Sequence, residues 1–286
     1  MKNILITGSN GQLGQSIQKE YQNLLNKEQF NFFFKDSAEL DITDTKSVIE
    51  DFQKNKYQYC INCAAYTAVD QAEIEKEKAL AINAEAVSNL AEVCKANQTI
   101  LIHISTDFVF SGIKPFPYKE TAKTQPAGIY GETKLKGEQI IQQHLSRYFI
   151  LRTSWLYSEF GNNFLKTMLR LGQEREELSV VFDQVGTPTY ARDLAQVILK
   201  IIITNSNDFG LYHYSNEGVA SWYDFAIAIF EKKNITCNVK SILSEEYPTL
   251  AKRPAFSVLD KQKVKAVFSL EIPYWQKSLK NCIDKL

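Results

Sequence analysis

The first half of the chain alternates short apolar runs with longer stretches of helical spacing. Residues 3–7 form an apolar run that stops at Gly8. Residues 11–26 follow, with apolar positions at Leu13, Ile17, Tyr21, Leu24 and Leu25, the period of one helix face. The alternation then repeats. Residues 30–35 read as an aromatic strand, and 44–55 as a helix through Val48, Ile49 and Phe52, opened by Thr43 or Asp44. Residues 59–62, 99–105 and 148–153 read as strands; 75–97 and 127–144 read as helices. Strands separated by helices imply right-handed crossovers and a parallel sheet covered on both faces, so the expected fold class is α/β and doubly wound.

The second half is less regular. Residues 163–171, 191–204 and 222–232 have helical spacing, and 178–182 and 211–215 read as strands. No repeat, low-complexity segment or compositional break marks a linker. At 286 residues the chain exceeds the usual single-domain size. The expected division is a nucleotide-binding domain over 1–155 and a smaller α/β substrate lobe over 156–286, with segments near 191–215 returning to the first sheet.

Charge narrows the partners. Lys plus Arg equals Asp plus Glu, 33 each, and no polybasic block stands out. Neither nucleic acid nor an anionic membrane is expected as a partner. The apolar start is too short for a signal peptide, and no run of about 18 apolar residues exists, so a cytoplasmic location is expected. The five cysteines, at 60, 63, 94, 237 and 282, make a poor disulfide framework. Cys60 and Cys63 have redox or zinc spacing, but on a strand residues three apart point to opposite faces, which favours structural thiols. His103, His144 and His213 show no metal spacing, and no metal is expected.

Gly8, Gly11 and Gly14, with Asn10, Gln12 and Leu13 between them, sit where the first strand meets the first helix. Glycines there let the backbone turn tightly and approach a pyrophosphate, whose charge the helix N-terminus stabilises. This is a Rossmann-type signal for a dinucleotide. A carboxylate after the second strand suits the ribose hydroxyls of NAD, and a cation suits the 2′-phosphate of NADP. Lys35 and Asp36 stand side by side, so tolerance of both NADPH and NADH is expected. Asp41 and Ile42 are placed near the adenine, with a loop or cap carboxylate as the other reading of Asp41.

Tyr130 and Lys134 are four apart, hence on one helix face, with Thr106 upstream. An ammonium beside a phenol lowers the phenol's pKa, and such a phenol can protonate a carbonyl oxygen as hydride reaches the carbon. The spacing also arises on solvated helix faces, and a hydroxyl at a strand end also caps turns.

Taken with the glycine loop, residues 62–70 and 105–110 and Tyr130-Gly-Glu-Thr-Lys134 resemble the extended short-chain dehydrogenases/reductases. Residues 152–157, 161–164 and 183–189 and Arg253-Pro254 carry the resemblance further, to the dTDP-4-dehydrorhamnose reductase family, over essentially the whole chain. The resemblance implies reduction of a sugar C4 ketone on a dTDP-sugar. It makes Tyr130 the proton donor, Lys134 its activator and a ribose ligand, and Thr106 a partner of the same oxygen. It places Ala64, Ala65 and Tyr66 along the cofactor, and Thr67, Val69, Asp107, Phe108, Trp155 and Arg253 along the substrate. Trp155 also reads as core. Phe108 replaces the family's usual tyrosine. Ser16 and Arg192 stand where some members carry magnesium-binding glutamates, so a monomer or weak homodimer is expected. A related 4,6-dehydratase needs an acid where Phe108 stands. An epimerase, or a regulatory subunit that binds dinucleotide without turnover, remains the other reading.

Overall fold

The computed structural model describes residues 1–24 and 27–286; the expected helix end at Leu25 and Asn26 lies outside them. Six parallel strands form the main sheet. In spatial order they are Gly210–His213, Tyr148–Thr153, Ile100–Thr106, Tyr59–Asn62, Lys2–Thr7 and Phe30–Lys35. Their side chains alternate between two apolar layers, which explains the near-continuous hydrophobic runs. Ile4, Ile6, Ile61, Ile102 and Leu151 pack under Leu194, Ile198 and Ile202 of the helix Ala191–Ile203. Leu5, Cys60, Leu101 and Ile150 pack on the other side with Val48, Phe52, Leu90 and Ile141.

From Lys2–Thr7 the chain runs outward to Phe30–Lys35, then returns past its first strand to Tyr59–Asn62. That reversal opens a crevice at the carboxyl ends of these strands, the place where doubly wound sheets take their ligands. The sixth strand comes from beyond residue 155 and pairs with Tyr148–Thr153.

The stretch read as one helix over 75–97 is three pieces. Lys76–Leu80 and Ala86–Ala96 are α-helical, and Ala81–Glu85 between them is a π-turn. The cause lies at Asn83. Its Oδ1 accepts from the Tyr66 N–H (2.9 Å), and its Nδ2 donates to the Tyr66 carbonyl (3.1 Å) and the Thr133 hydroxyl (3.2 Å). Turns of this kind recur near functional sites.

The helix Ile129–His144 begins two residues later than its spacing suggested, with Gly128 extended before it. It lies close against its neighbours. A methyl group on Gly131 would come within 2.3 Å of the Phe108 carbonyl oxygen, and one on Gly137 within 2.3 Å of that of Asn83. Under the helix, Glu138 forms a two-point ion pair with Arg152 of the sheet: Nε to Oε1 at 2.8 Å and Nη2 to Oε2 at 2.6 Å. Ser105 donates to the same carboxylate. Both charged side chains are almost fully buried.

The smaller lobe pairs Glu177–Val181 with Asn238–Ile242 in parallel. The helices Phe164–Glu174, Trp222–Lys233 and Trp275–Ile283 close it around Leu165, Met168, Phe225, Ile229 and Leu279. Ser221 and Asp224 form a capping box that starts Trp222–Lys233. Among the described residues no helix is long and apolar enough to cross a membrane.

Removing one member of a buried ion pair leaves the other charge uncompensated, at a cost of about 3–5 kcal/mol. Glu138→Ala is therefore expected to lose about 3–5 kcal/mol of urea stability at pH 7. A loss below about 1 kcal/mol would mean that the pair does not hold the helix.

Candidate active site

The switch point is shaped by backbone contact. Gly8 adopts φ +63°, and a methyl group there would lie 2.7 Å from the Ala64 nitrogen. Gly14 meets Ser9 equally closely, at 2.6 Å. The helix Gln12–Gln22 starts directly after this turn, and Gln12, Leu13 and Gly14 line the cleft that it opens onto. A glycine cradle at a helix N-terminus, with no room for side chains, fits a dinucleotide diphosphate.

The cleft, of ≈ 630 Å³, brings together residues from both halves of the chain. Gly8, Gly11, Ala64, Ala65, Thr67, Val69, Thr106, Asp107, Phe108, Tyr130, Lys134, Trp155 and Arg253 all line it. Thr106 ends its strand; its hydroxyl accepts from the Phe108 N–H (3.2 Å) and donates to Asp107 (3.0 Å). Tyr130 is the second residue of its helix, and its ring meets Phe108 edge-on, with centroids 5.5 Å apart. Lys134 lies one turn on and is buried. Its Nζ donates to the Ile104 carbonyl (2.7 Å) and lies 3.3 Å from His103 Nε2.

Burial pushes the Tyr130 phenol up to about 12; the Thr106 hydrogen bond opposes this and the Asp107 charge adds to it. Burial pushes Lys134 down to about 8, against Glu138 and Cys63. The Lys134 head group is directed at the Ile104 carbonyl. Asp107 is raised to about 6 by burial, against hydrogen bonds from Ser257 and Thr106.

Six expected cofactor residues lie outside the cleft lining. Tyr66 turns away, and its hydroxyl donates to Glu75 (2.9 Å). Ile42 is buried in the core beside Val48 and Phe52. Asp41 closes its own turn by accepting from the Thr43 N–H (2.9 Å) and hydroxyl (2.8 Å), which is the loop reading. Asp36 accepts from the Asn10 amide and from the N–H groups of Ala38 and Glu39, so the Asn10 and Asp36 side chains pair with each other. Lys35 is drawn away by Asp51.

Trp222 also lines the cleft and was not among the expected site residues. Trp155 adopts φ +48° and stacks on Trp222, with ring centroids 3.6 Å apart and planes 7° from parallel. Trp155 is thus a wall of the cleft, backed by Gly186, where a methyl group would meet the indole at 2.7 Å. Gln12 accepts from Asn163 (2.9 Å) and Ser158 (3.1 Å), tying the glycine loop to the second half. Arg253 pairs with Asp70 across the two halves (2.6 Å). Trp222 and Arg253 also line a second cavity of ≈ 690 Å³ in the smaller lobe. Residue spacing carries no trace of a Trp222 that stacks on a residue 67 positions away.

Ser16 is buried and donates to the Gln12 carbonyl. Arg192 pairs with Glu20 (2.8 Å) and approaches Glu159 (3.5 Å). Among the described residues no His, Cys, Asp and Glu cluster is placed to hold a metal ion.

Residues 1–286 match the RmlD substrate binding domain family. A dTDP-4-dehydrorhamnose reductase of Aggregatibacter actinomycetemcomitans is 43% identical, over 98% of each chain. The crystal structure of a dTDP-4-dehydrorhamnose reductase from Clostridium acetobutylicum superposes with a TM-score of 0.94 at 42% identity, over 99% of each chain. That of the Bacillus anthracis dTDP-4-dehydrorhamnose reductase, in complex with NADP, gives 0.95 at 42% identity over the full length of both.

Gly8→Ala forces a methyl against Ala64 and a left-handed alanine, which costs roughly 1–2 kcal/mol. With about 1.4 kcal/mol per tenfold, NADPH affinity by fluorescence titration is expected to fall by about five- to thirtyfold. An unchanged affinity would remove this glycine from the cradle.

Proposed function

The chain belongs to the RmlD substrate binding domain family, and from that premise we propose that it reduces the C4 ketone of dTDP-4-dehydro-6-deoxy-L-mannose to give dTDP-L-rhamnose. NADPH or NADH, when bound, supplies the hydride. The observation that carries the reading is the meeting of Thr106, Tyr130 and Lys134 with the Gly8–Gly14 turn in one cleft.

Each residue has a task in this reading. The turn and the first helical amides hold the diphosphate, with Ala64 and Ala65 alongside. Tyr130 gives its hydroxyl proton to the C4 oxygen. A phenol at about 12 holds that proton at neutral pH until the oxygen becomes basic. Thr106 binds the same oxygen and steadies its developing charge. Lys134 supports the phenolate that remains and holds the ribose. Thr67, Val69, Asp107, Phe108, Trp155 and Arg253 border the sugar nucleotide. Phe108 offers no acid to a leaving hydroxyl, which favours reduction over elimination.

Residues 1–155, with the segments near 191–215, serve the cofactor, and the rest of 156–286 serves the sugar nucleotide. The protein works in the cytoplasm as a monomer or weak homodimer.

The test is NADPH or NADH oxidation that depends on the dTDP-4-dehydro sugar. Loss of a general acid costs roughly 100-fold or more. Tyr130→Phe is expected to drop kcat by that scale with cofactor affinity kept; unchanged turnover would exclude the tyrosine. Tight dinucleotide binding with no turnover in the parent protein would instead favour a regulatory subunit.

A further inference from the structure

The helix that carries Tyr130 does not cap itself. Gly128, at its N-cap, has no side chain to offer, and the first helical N–H, that of Ile129, has no acceptor within the helix. That N–H donates instead to Oε1 of Glu73, 56 residues earlier in the chain, at 2.8 Å. The fit is close. A methyl group on Gly128 would lie 2.6 Å from the same Oε1. Gly128 has φ −159°, extended backbone that any residue adopts, so it is the Glu73 carboxylate that leaves no room for a side chain there.

Glu73 has a fixed base. It follows the short helix Val69–Ala72, and its own N–H donates to the Asp70 carbonyl (3.2 Å). The Asp70 carboxylate in turn accepts from Arg253 (2.6 Å) and from the Ala251 N–H (3.0 Å). One turn of chain thus grips the second half through Asp70 and the helix of Tyr130 through Glu73. The body of that helix is seated by Gly131, Gly137 and the Glu138–Arg152 pair. Ile129 and Tyr130 precede all of these, in the turn whose amides have no helical partners. A carboxylate there also meets the positive end of the helix dipole. Placement in this turn matters, because a shift of about 1 Å at a reacting group can cost on the order of 100-fold in rate.

We propose that Glu73 is a positioning residue for the reductase reaction: its carboxylate caps the catalytic helix from outside and holds the first turn, and with it the Tyr130 hydroxyl, in the place from which the sugar oxygen is protonated. Glu73 lies outside the cleft lining and moves no proton; it acts through the Ile129 amide.

The kinetic consequence rests on the reductase reading, and the structural one does not. Amide hydrogen exchange of the full-length protein, read by NMR at residue 129, tests the cap without substrate. Glu73→Ala is expected to speed exchange there by about fivefold, the effect of losing one helix cap. Glu73→Gln keeps an acceptor and is expected to stay within about twofold of the parent. Unchanged protection in Glu73→Ala would overturn the proposal whatever the activity. In the NADPH oxidation assay Glu73→Ala is expected to lower kcat by about fivefold, with KM for NADPH and for the sugar nucleotide kept, and Glu73→Gln to restore it. Gly128→Ala pushes the Glu73 oxygen aside without removing it and is expected to reproduce the loss. The double variant Glu73→Ala/Gly128→Ala is expected to be no slower than either single one, because both break the same contact. A glutamate that only stabilised the fold would add its loss to that of Gly128→Ala. Additive losses, a kcat kept in Glu73→Ala, or a loss that Gln does not restore would each overturn the proposal. Absence of NADPH oxidation in the parent protein, with exchange as expected, would count against the reductase reading alone.

Discussion

The site depends on how the helix Ile129–His144 is seated on the sheet. Glu138 and Arg152 exclude water from a two-point ion pair, and Ser105 completes the carboxylate's hydrogen bonds. Charges so buried are favourable only when the geometry is good and the remaining lone pairs are met. The pair therefore fixes position more than it adds stability. With Gly131 on the Phe108 carbonyl and Gly137 on that of Asn83, the helix has little room to slide. Tyr130 and Lys134 inherit that precision, one turn apart at the end that faces the cleft.

Close backbone approach does the same at the cofactor end. Gly8 and Gly14 permit contacts with Ala64 and Ser9 that any side chain would block. Gln12, held by Ser158 and Asn163, couples this turn to the second half of the chain. The Arg253–Asp70 pair makes a second link across the cleft. The glycine turn and the second half of the chain are thus connected through Gln12, Asn163 and Arg253, which line the cleft.

Much of the fold was legible because a covered parallel sheet writes strong periods. The strands at 30–35, 59–62 and 148–153 match their apolar runs, and the glycine turn announced its place before the first helix. What spacing could not reveal was which way a side chain points after its strand ends. Tyr66 follows Ala64 and Ala65 yet turns to Glu75, and Ile42 follows Asp41 yet enters the core. The π-turn was hidden because it answers to Tyr66, 17 residues from Asn83. Trp222 and Glu73 act only through three-dimensional contacts, with Trp155 and with the Ile129 amide. The Tyr130–Lys134 spacing was plain; that the lysine head is turned to the Ile104 carbonyl was not.

The account's central claim is that one hydride and one proton cross a single sugar carbonyl, with no elimination. The most direct measurement uses NADPH carrying deuterium at the transferable C4 position, with NMR and mass analysis of the sugar-nucleotide product. The account predicts one deuterium, at sugar C4, in dTDP-L-rhamnose. An unlabelled product, or label at any other sugar carbon, would contradict it.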